Sequence, residues 1–186
     1  WFDLYRNGAY VTNLFFADSP FQVRATSYIC MTSSTDGGQS WNSPVLVNAK
    51  PSGVAWMVLG PGSGLVTQDG QLAFTAYDGS KIYLIYGRDG SWNSVTTSAA
   101  TNESSIIELN DGTIRAFVKR GGSNTIAYVD FTKSGSGYTA GSLVDTGVTN
   151  FSQCMVSSVH YSKTYQGKEV VLVCCPSKPG SRDWNG

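Results

Sequence analysis

The sequence predicts an all-β fold of antiparallel four-stranded sheets repeated as the blades of a propeller, and three observations predict it. Short apolar runs of strand length alternate with tight-turn signals, and no long stretch shows helical periodicity. Glycine numbers 21 of 186 residues while charged residues are only 14%, a composition that favours strands and turns over helices. A degenerate motif carrying Trp41, Trp92 and Tyr138 recurs at intervals of 51 and 46 residues, the period of a four-stranded propeller blade.

Taken in order, strands are expected over 27–32, 45–48, 64–67, 72–77, 81–86, 104–109, 113–119, 125–131, 154–161 and 168–175. Between them lie QDGQ, YDGSK, NDGT and GGSN, each with the glycine or asparagine that admits positive φ and closes a hairpin. Asp69, Asp78 and Asp111 each precede a glycine in such a turn and need no role beyond it.

The repeat is clearest in SSTDGGQSW, residues 33–41, where Ser34, Asp36, Gly38 and Trp41 stand in the order S-x-D-x-G-x-x-W. An aspartate there accepts hydrogen bonds from backbone N–H groups of its own turn, and the indole is expected to fold back and bury apolar area over the loop. GRDGSW keeps Asp89, Gly90 and Trp92 but is two residues shorter, and TKSGSGY keeps Gly135 while Tyr138 replaces the indole and Lys133 the carboxylate. On this reading the motif is structural, and Asp36 is a turn acceptor rather than a catalytic acid.

Composition excludes several classes. Thirteen basic and thirteen acidic residues cancel, with no basic run, so neither nucleic acid nor an anionic membrane is an expected partner. No apolar run reaches the roughly 20 residues of a membrane-spanning helix, and no signal-peptide pattern stands at Trp1. Cys30, Cys154, Cys174 and Cys175 have no metal-ligand spacing, so no metal or other cofactor is expected. They read as buried thiols, Cys30 and Cys174 lying in the apolar runs YICM and VVLVCC. His160 reads as a solvent-facing strand residue. Trp56 and Met57 fit either a ligand-facing rim or packing between blades, and Phe15, Phe16 and Phe21 pose the same choice.

S-x-D-x-G-x-x-W is the Asp-box motif, and the chain resembles the catalytic domain of bacterial sialidases (neuraminidases) of the six-bladed Asp-box propeller type. The resemblance is to the subgroup with an inserted domain, which includes hydrolytic and intramolecular trans-sialidases. SPFQVRATSYICMTSSTDGGQSW resembles the segment entering the second blade, and WMVLGPGSGL the following W-x-x-x-G-P-G-x-G stretch. NESSIIELNDGTIRAFVKR resembles the strand pair that begins with the catalytic glutamate. VSSVHYSKTYQGKEVVLVCCPSKPGSR resembles the stretch leading to the last of three binding arginines. These segments stand in the family's order and cover most of the chain.

The resemblance implies an exo-α-sialidase acting on terminal sialic acids of glycans or glycoproteins, outside the bacterial cell or at its surface. Its chemistry is coherent: an array of guanidinium groups suits the sugar's carboxylate, which would repel a carboxylate nucleophile. Sialidases use a tyrosine instead, and a glutamate takes up its proton. Glu103 matches that glutamate; without the resemblance it is a solvated acid in the polar loop TNESS. Arg182 matches the last arginine. The middle arginine falls on Lys119, with Arg120 beside it: lysine keeps the charge but loses the two-pronged grip, while Arg120 would need a one-residue shift and hence a bulge. Met155 stands where the family commonly has a glutamine, with Gln153 in another register.

The family's first arginine and its acid/base aspartate would precede Trp1, and its tyrosine nucleophile would follow Gly186. The chain is therefore expected to be about three to four blades of one sialidase-like catalytic domain spanning 1–186, inactive alone and partnered by the remaining blades. The alternative reading is a non-catalytic Asp-box propeller that binds glycans or proteins.

Overall fold

A computed structural model describes residues 3–6, 9–13, 27–88, 90–99, 101–118, 123–149 and 155–176. Two compact units, Trp1–Val58 and Leu59–Gly186, divide the chain. Among the described residues every regular element is a strand, and no helix is long and apolar enough to cross a membrane.

The first unit holds two antiparallel pairs, β1 (Asp3–Arg6) with β2 (Ala9–Asn13) and β3 (Cys30–Met31) with β4 (Val45–Leu46). The loop from β3 to β4 carries SSTDGGQSW. Ile29, Val47, Ala49 and Met57 are buried, and the Ser27 hydroxyl bridges both backbone groups of Met57, donating to its carbonyl at 2.5 Å and accepting from its N–H at 2.7 Å. Met57 is therefore a core residue, whereas Trp56 is exposed. Phe15, Phe16 and Phe21 lie outside the described residues.

At the junction of the units stands β5 (Val58–Leu59). The second unit continues with β6 (Leu65–Val66), β7 (Leu72–Tyr77), β8 (Ile82–Arg88) and β9 (Ser91–Thr96), paired antiparallel in that order, with Gly60 N–H donating to the Thr75 carbonyl at 2.8 Å along the β7 edge. A four-stranded meander follows: β10 (Ser104–Glu108), β11 (Ile114–Val118), β12 (Ala127–Ser134) and β13 (Gly137–Asp145). The hairpin of β14 (Ser157–Tyr165) and β15 (Lys168–Cys174) completes it.

Alternation of side chains along the strands explains how these sheets stack. From β8, Ile82, Leu84 and Tyr86 meet Ile106, Ile114, Ala116, Val118, Ala127, Val129 and Phe131 on one face of the meander. The residues of opposite parity, Ile107 and Phe117, face Val156, Val171 and Val173 on the other side. Strands β10 and β11 are thus buried on both faces, and each fully buried Leu, Ile or Phe contributes about 1.5–3 kcal/mol. Its first strand, β10, lies beside β7 of one neighbouring sheet and β14 of the other.

Three sequence expectations change. Strands β9 and β13 were not foreseen, because their outer positions leave them polar and half-exposed (SWNSVT, GYTAGSLVD) with little apolar alternation. Cys30 and Cys174 are exposed rather than buried, since alternation turns them away from Ile29 and Val173; with half-buried Cys175 they are free thiols, and Cys154 lies outside the described residues. His160 is part-buried, its Nε2 2.9 Å from Glu169 Oε1, rather than simply solvent-facing.

Candidate functional site

All three copies of the repeat sit between paired antiparallel strands, β3–β4, β8–β9 and β12–β13. In the first, Asp36 Oδ1 accepts the Ser40 N–H at 3.0 Å and the Ser34 hydroxyl at 2.7 Å, Oδ2 accepts the Ser40 hydroxyl at 2.6 Å, and Ser34 Oγ accepts the Gly38 N–H at 2.8 Å. The Ser40 bonds first, then that from Ser34, hold the Asp36 carboxyl well below the usual carboxylate range. Its acceptor sites are occupied within the turn, as expected of a structural aspartate. Trp41 departs from expectation: it reaches over Gly38 but is 63% exposed. The later aromatics are better covered, Trp92 edge-on to Phe74 at 5.8 Å and Tyr138 edge-on to Tyr86 at 4.9 Å between ring centroids.

The site expected from the acid stands elsewhere. Glu103 immediately precedes β10 and is partly buried. The two residues after it are buried serines at 1% and 3% exposure, and alternation sends them to opposite faces. Ser104 Oγ donates to Thr75 Oγ1 on β7 at 2.9 Å. Ser105 Oγ accepts both the Ser158 N–H at 3.0 Å and the Ser158 hydroxyl at 2.9 Å on β14. The backbone beside Glu103 is thereby tied to both neighbouring sheets.

The GPGSG segment closes on the same place. A Cβ on Gly60 would stand 2.7 Å from Thr75 Oγ1 and 2.9 Å from the Ser104 carbonyl oxygen, and one on Gly62 would stand 2.9 Å from Ser105 Cα. In sequence these glycines belong only to the stretch that resembles W-x-x-x-G-P-G-x-G; the structure uses them for close approach. Tyr77 was missed altogether. It is the last residue of β7, on the same face as Thr75, and burial first, then the negative charge of Glu103, raise its hydroxyl pKa. A tyrosine before a turn carries no sequence mark of that neighbour.

Val118, the last residue of β11, pairs with Ser104, so β11 ends beside the Glu103 end of β10. Lys119 and Arg120, next in the chain, lie outside the described residues, as do Arg182 and Gln153. Met155 is exposed. Among the described residues no group of His, Cys, Asp and Glu side chains could hold a metal ion. A cleft of about 430 Å³ runs along β10 and β14, lined among others by Ser105, Glu108, Ser158 and His160 but not by Glu103. The arrangement around Glu103 places a part-buried carboxyl group beside the end of β7, where Tyr77 lies and Thr75 is bonded to Ser104.

No family model matches the chain. It is similar to the anhydrosialidase of Macrobdella decora, 29% identical over 183 residues, which is 91% of this chain and 24% of that protein. It is also similar to sialidase B of Streptococcus pneumoniae serotype 4, 35% identical over 181 residues, 91% of this chain and 25% of that protein. Among solved structures, a variant of the NanB sialidase from Streptococcus pneumoniae matches with TM-score 0.72 at 30% identity, over 96% of this chain and 28% of that one. The Hadza microbial sialidase Hz136 matches with TM-score 0.65 at 18% identity over 88% of this chain and 35% of that one, a likeness of fold alone. The chain spans about a quarter of the length of these two sequence relatives.

Proposed function

We propose, from the premise that the chain is a homologue of the sialidases with the all-β fold of a partial propeller, that it is the middle part of a sialidase catalytic domain and supplies the glutamate of the nucleophile pair. The substrates are glycans or glycoproteins ending in sialic acid, and the site of action is outside the cell or at its surface. The observation that carries this reading is the place of Glu103, partly buried at the end of β10 where the ends of β7 and β11 come together.

In this reading Glu103 accepts the proton of a tyrosine contributed by the remaining blades, raising the nucleophilicity of the phenol oxygen toward the anomeric carbon. Arg182 grips the sugar carboxylate with two parallel hydrogen bonds. Lys119 or Arg120 supplies the middle cation, and the two differ in consequence: the lysine adds charge without the fork, the arginine adds both. Water hydrolysis and intramolecular transfer share this bond-breaking step.

The test is turnover of a fluorogenic sialoside by the full-length protein and its Glu103→Gln variant. We expect kcat to fall by roughly 10²–10⁴-fold in the variant, the range for loss of a positioned proton acceptor, and residues 1–186 alone to show no turnover. A non-catalytic glycan-binding propeller is the second reading, favoured by lysine at 119 and methionine at 155. Retained sialoside binding without turnover by the full-length protein selects it.

A further inference from the structure

Buried hydroxyls placed directly after an acid call for a reason. Hydrophobic side chains fill the next two positions of β10, Ile106 and Ile107, one toward each neighbouring sheet. Ser104 and Ser105 are buried in the same two directions, where apolar residues would gain transfer free energy that serines forgo. What serine gains is direction. Apolar contact tolerates sliding of one sheet over another, whereas a hydrogen bond fixes distance and angle within a few tenths of an ångström.

We infer that Ser104, Ser105 and Thr75 are positioning residues for Glu103, locking the start of β10 to β7 on one side through the Ser104–Thr75 bond and to β14 on the other through Ser105 and Ser158. Gly60 and Gly62 belong to the same device. They press the preceding loop against Thr75, Ser104 and Ser105 so closely that a Cβ at either would force the strand end away. The Gly60 N–H bond to the Thr75 carbonyl, 2.8 Å, sets the depth of that wedge. The backbone adjoining Glu103 is thus held from three directions, by Thr75, by Ser158 and by the loop of Gly60 and Gly62.

This inference rests on Glu103 having the catalytic role proposed above. A proton acceptor displaced by about 1 Å costs on the order of 10²-fold in rate, so loosening one tether while the others remain should cost roughly 10-fold.

The experiment compares kcat, KM and melting temperature for the full-length protein and its Thr75→Val, Thr75→Ser, Ser105→Ala and Ser158→Ala variants, with Glu103→Gln and the core variant Val129→Ala as references. Thr75→Val and Ser105→Ala are expected to lower kcat roughly 10-fold with KM within about twofold. Thr75→Ser, which keeps the hydroxyl, is expected to restore kcat. Ser158→Ala, which leaves the backbone N–H bond to Ser105, should fall between. Val129→Ala should lower the melting temperature at least as much while keeping kcat. Wild-type kcat in Thr75→Val and Ser105→Ala, with Glu103→Gln inactive, overturns the positioning role alone; so does an equal kcat loss in Val129→Ala. Full activity in Glu103→Gln overturns the role of Glu103 and the inference with it. Should Thr75→Val fail to fold, Ser158→Ala and Thr75→Ser decide: identical kcat in wild type and Ser158→Ala overturns the role.

Discussion

Lys133 Nζ lies 2.7 Å from Asp69 Oδ2, joining the third copy of the sequence repeat to a turn of the neighbouring sheet. The lysine stands where the motif's carboxylate would be, and the aspartate lies in the hairpin between β6 and β7. Asp69 also accepts from the Thr67 hydroxyl at 2.6 Å and from Gln71 Nε2 at 3.0 Å. A residue that reads as an eroded motif position is therefore a cross-sheet tie, and a residue that reads as a turn aspartate alone is its partner.

For this pair we expect a small, salt-sensitive coupling. Both side chains are more than a third exposed, so a double-mutant cycle of Lys133→Met and Asp69→Asn should give below about 1 kcal/mol, fading at high ionic strength. The Lys133 hydrogen bond, then those from Thr67 and Gln71, hold the Asp69 carboxyl below the usual range. With the folded value depressed, its contribution is complete above the unfolded value of about 3.9 and is lost as pH falls through the folded one. Urea titrations between neutral and acid pH measure it, and a coupling that grows on acidification contradicts the assignment.

Two carboxylates latch successive hairpin turns. Glu108 Oε2 on β10 accepts the Gln68 N–H at 2.7 Å, and Glu169 Oε1 on β15 accepts the Asn110 N–H at 2.7 Å, the two N–H groups standing at the same position of the β6–β7 and β10–β11 turns. Replacing either glutamate by alanine should cost about 1 kcal/mol, while glutamine, which keeps an acceptor oxygen, should recover most of it. Equal loss in the Ala and Gln variants, measured by the denaturation midpoint, would show that packing rather than the hydrogen bond matters.

Arg115 and Asp130 face each other directly across β11 and β12, with Nε and Nη2 at 2.7 and 2.8 Å from the two carboxylate oxygens. The guanidinium carbon lies 3.9 Å from the centre of the Tyr128 ring. Lysine cannot reproduce both the fork and the stack, so Arg115→Lys should destabilise by about 1 kcal/mol despite retaining the charge. Thermal unfolding of Arg115→Lys beside Tyr128→Leu separates the two parts; a melting temperature unchanged in both removes the claim.

In the 33–41 loop, Asp36→Ala should speed amide hydrogen exchange at Ser40, whose N–H it accepts, and secondarily at Gly38, which is held by Ser34. Because the folded carboxyl pKa is depressed, protection in the wild type should persist above about pH 3.9 and disappear as pH falls through the lowered value. Unchanged exchange at Ser40 in the variant is the outcome that refutes the turn-acceptor role.

Expectation and structure agree best where one strand has to satisfy its surroundings alone. IYLIY, inside β8, is buried along its whole length, and its apolar run announces it; LAFTAY matches β7 from end to end. Strands β9 and β13 escaped notice because they lie at the outer edge, where Ser, Thr and Asn are as acceptable as Val. Cys30 and Cys174 misled for the opposite reason: an apolar run shows that a strand is buried on one face but leaves open which.

The candidate site was legible only in part. Glu103 was found through the resemblance of NESSIIEL to the sialidases, and nothing in those eight letters reveals that Ser104 and Ser105 face different sheets with Thr75 and Ser158 as partners. Tyr77 and the close-packing role of Gly60 and Gly62 were invisible in the same way.

The sequence alone determined the all-β class, the hairpin turns, the repeat and its turn-accepting aspartate, because those depend on forces acting within a few residues: side-chain alternation, positive-φ glycines and local hydrogen bonds. Only the tertiary structure decided which residues meet across sheets, the tethers beside Glu103, the Lys133–Asp69 tie and the Glu108 and Glu169 latches. Their partners lie between 29 and 64 residues apart in the chain, and a contact at that separation arises from how whole sheets stack.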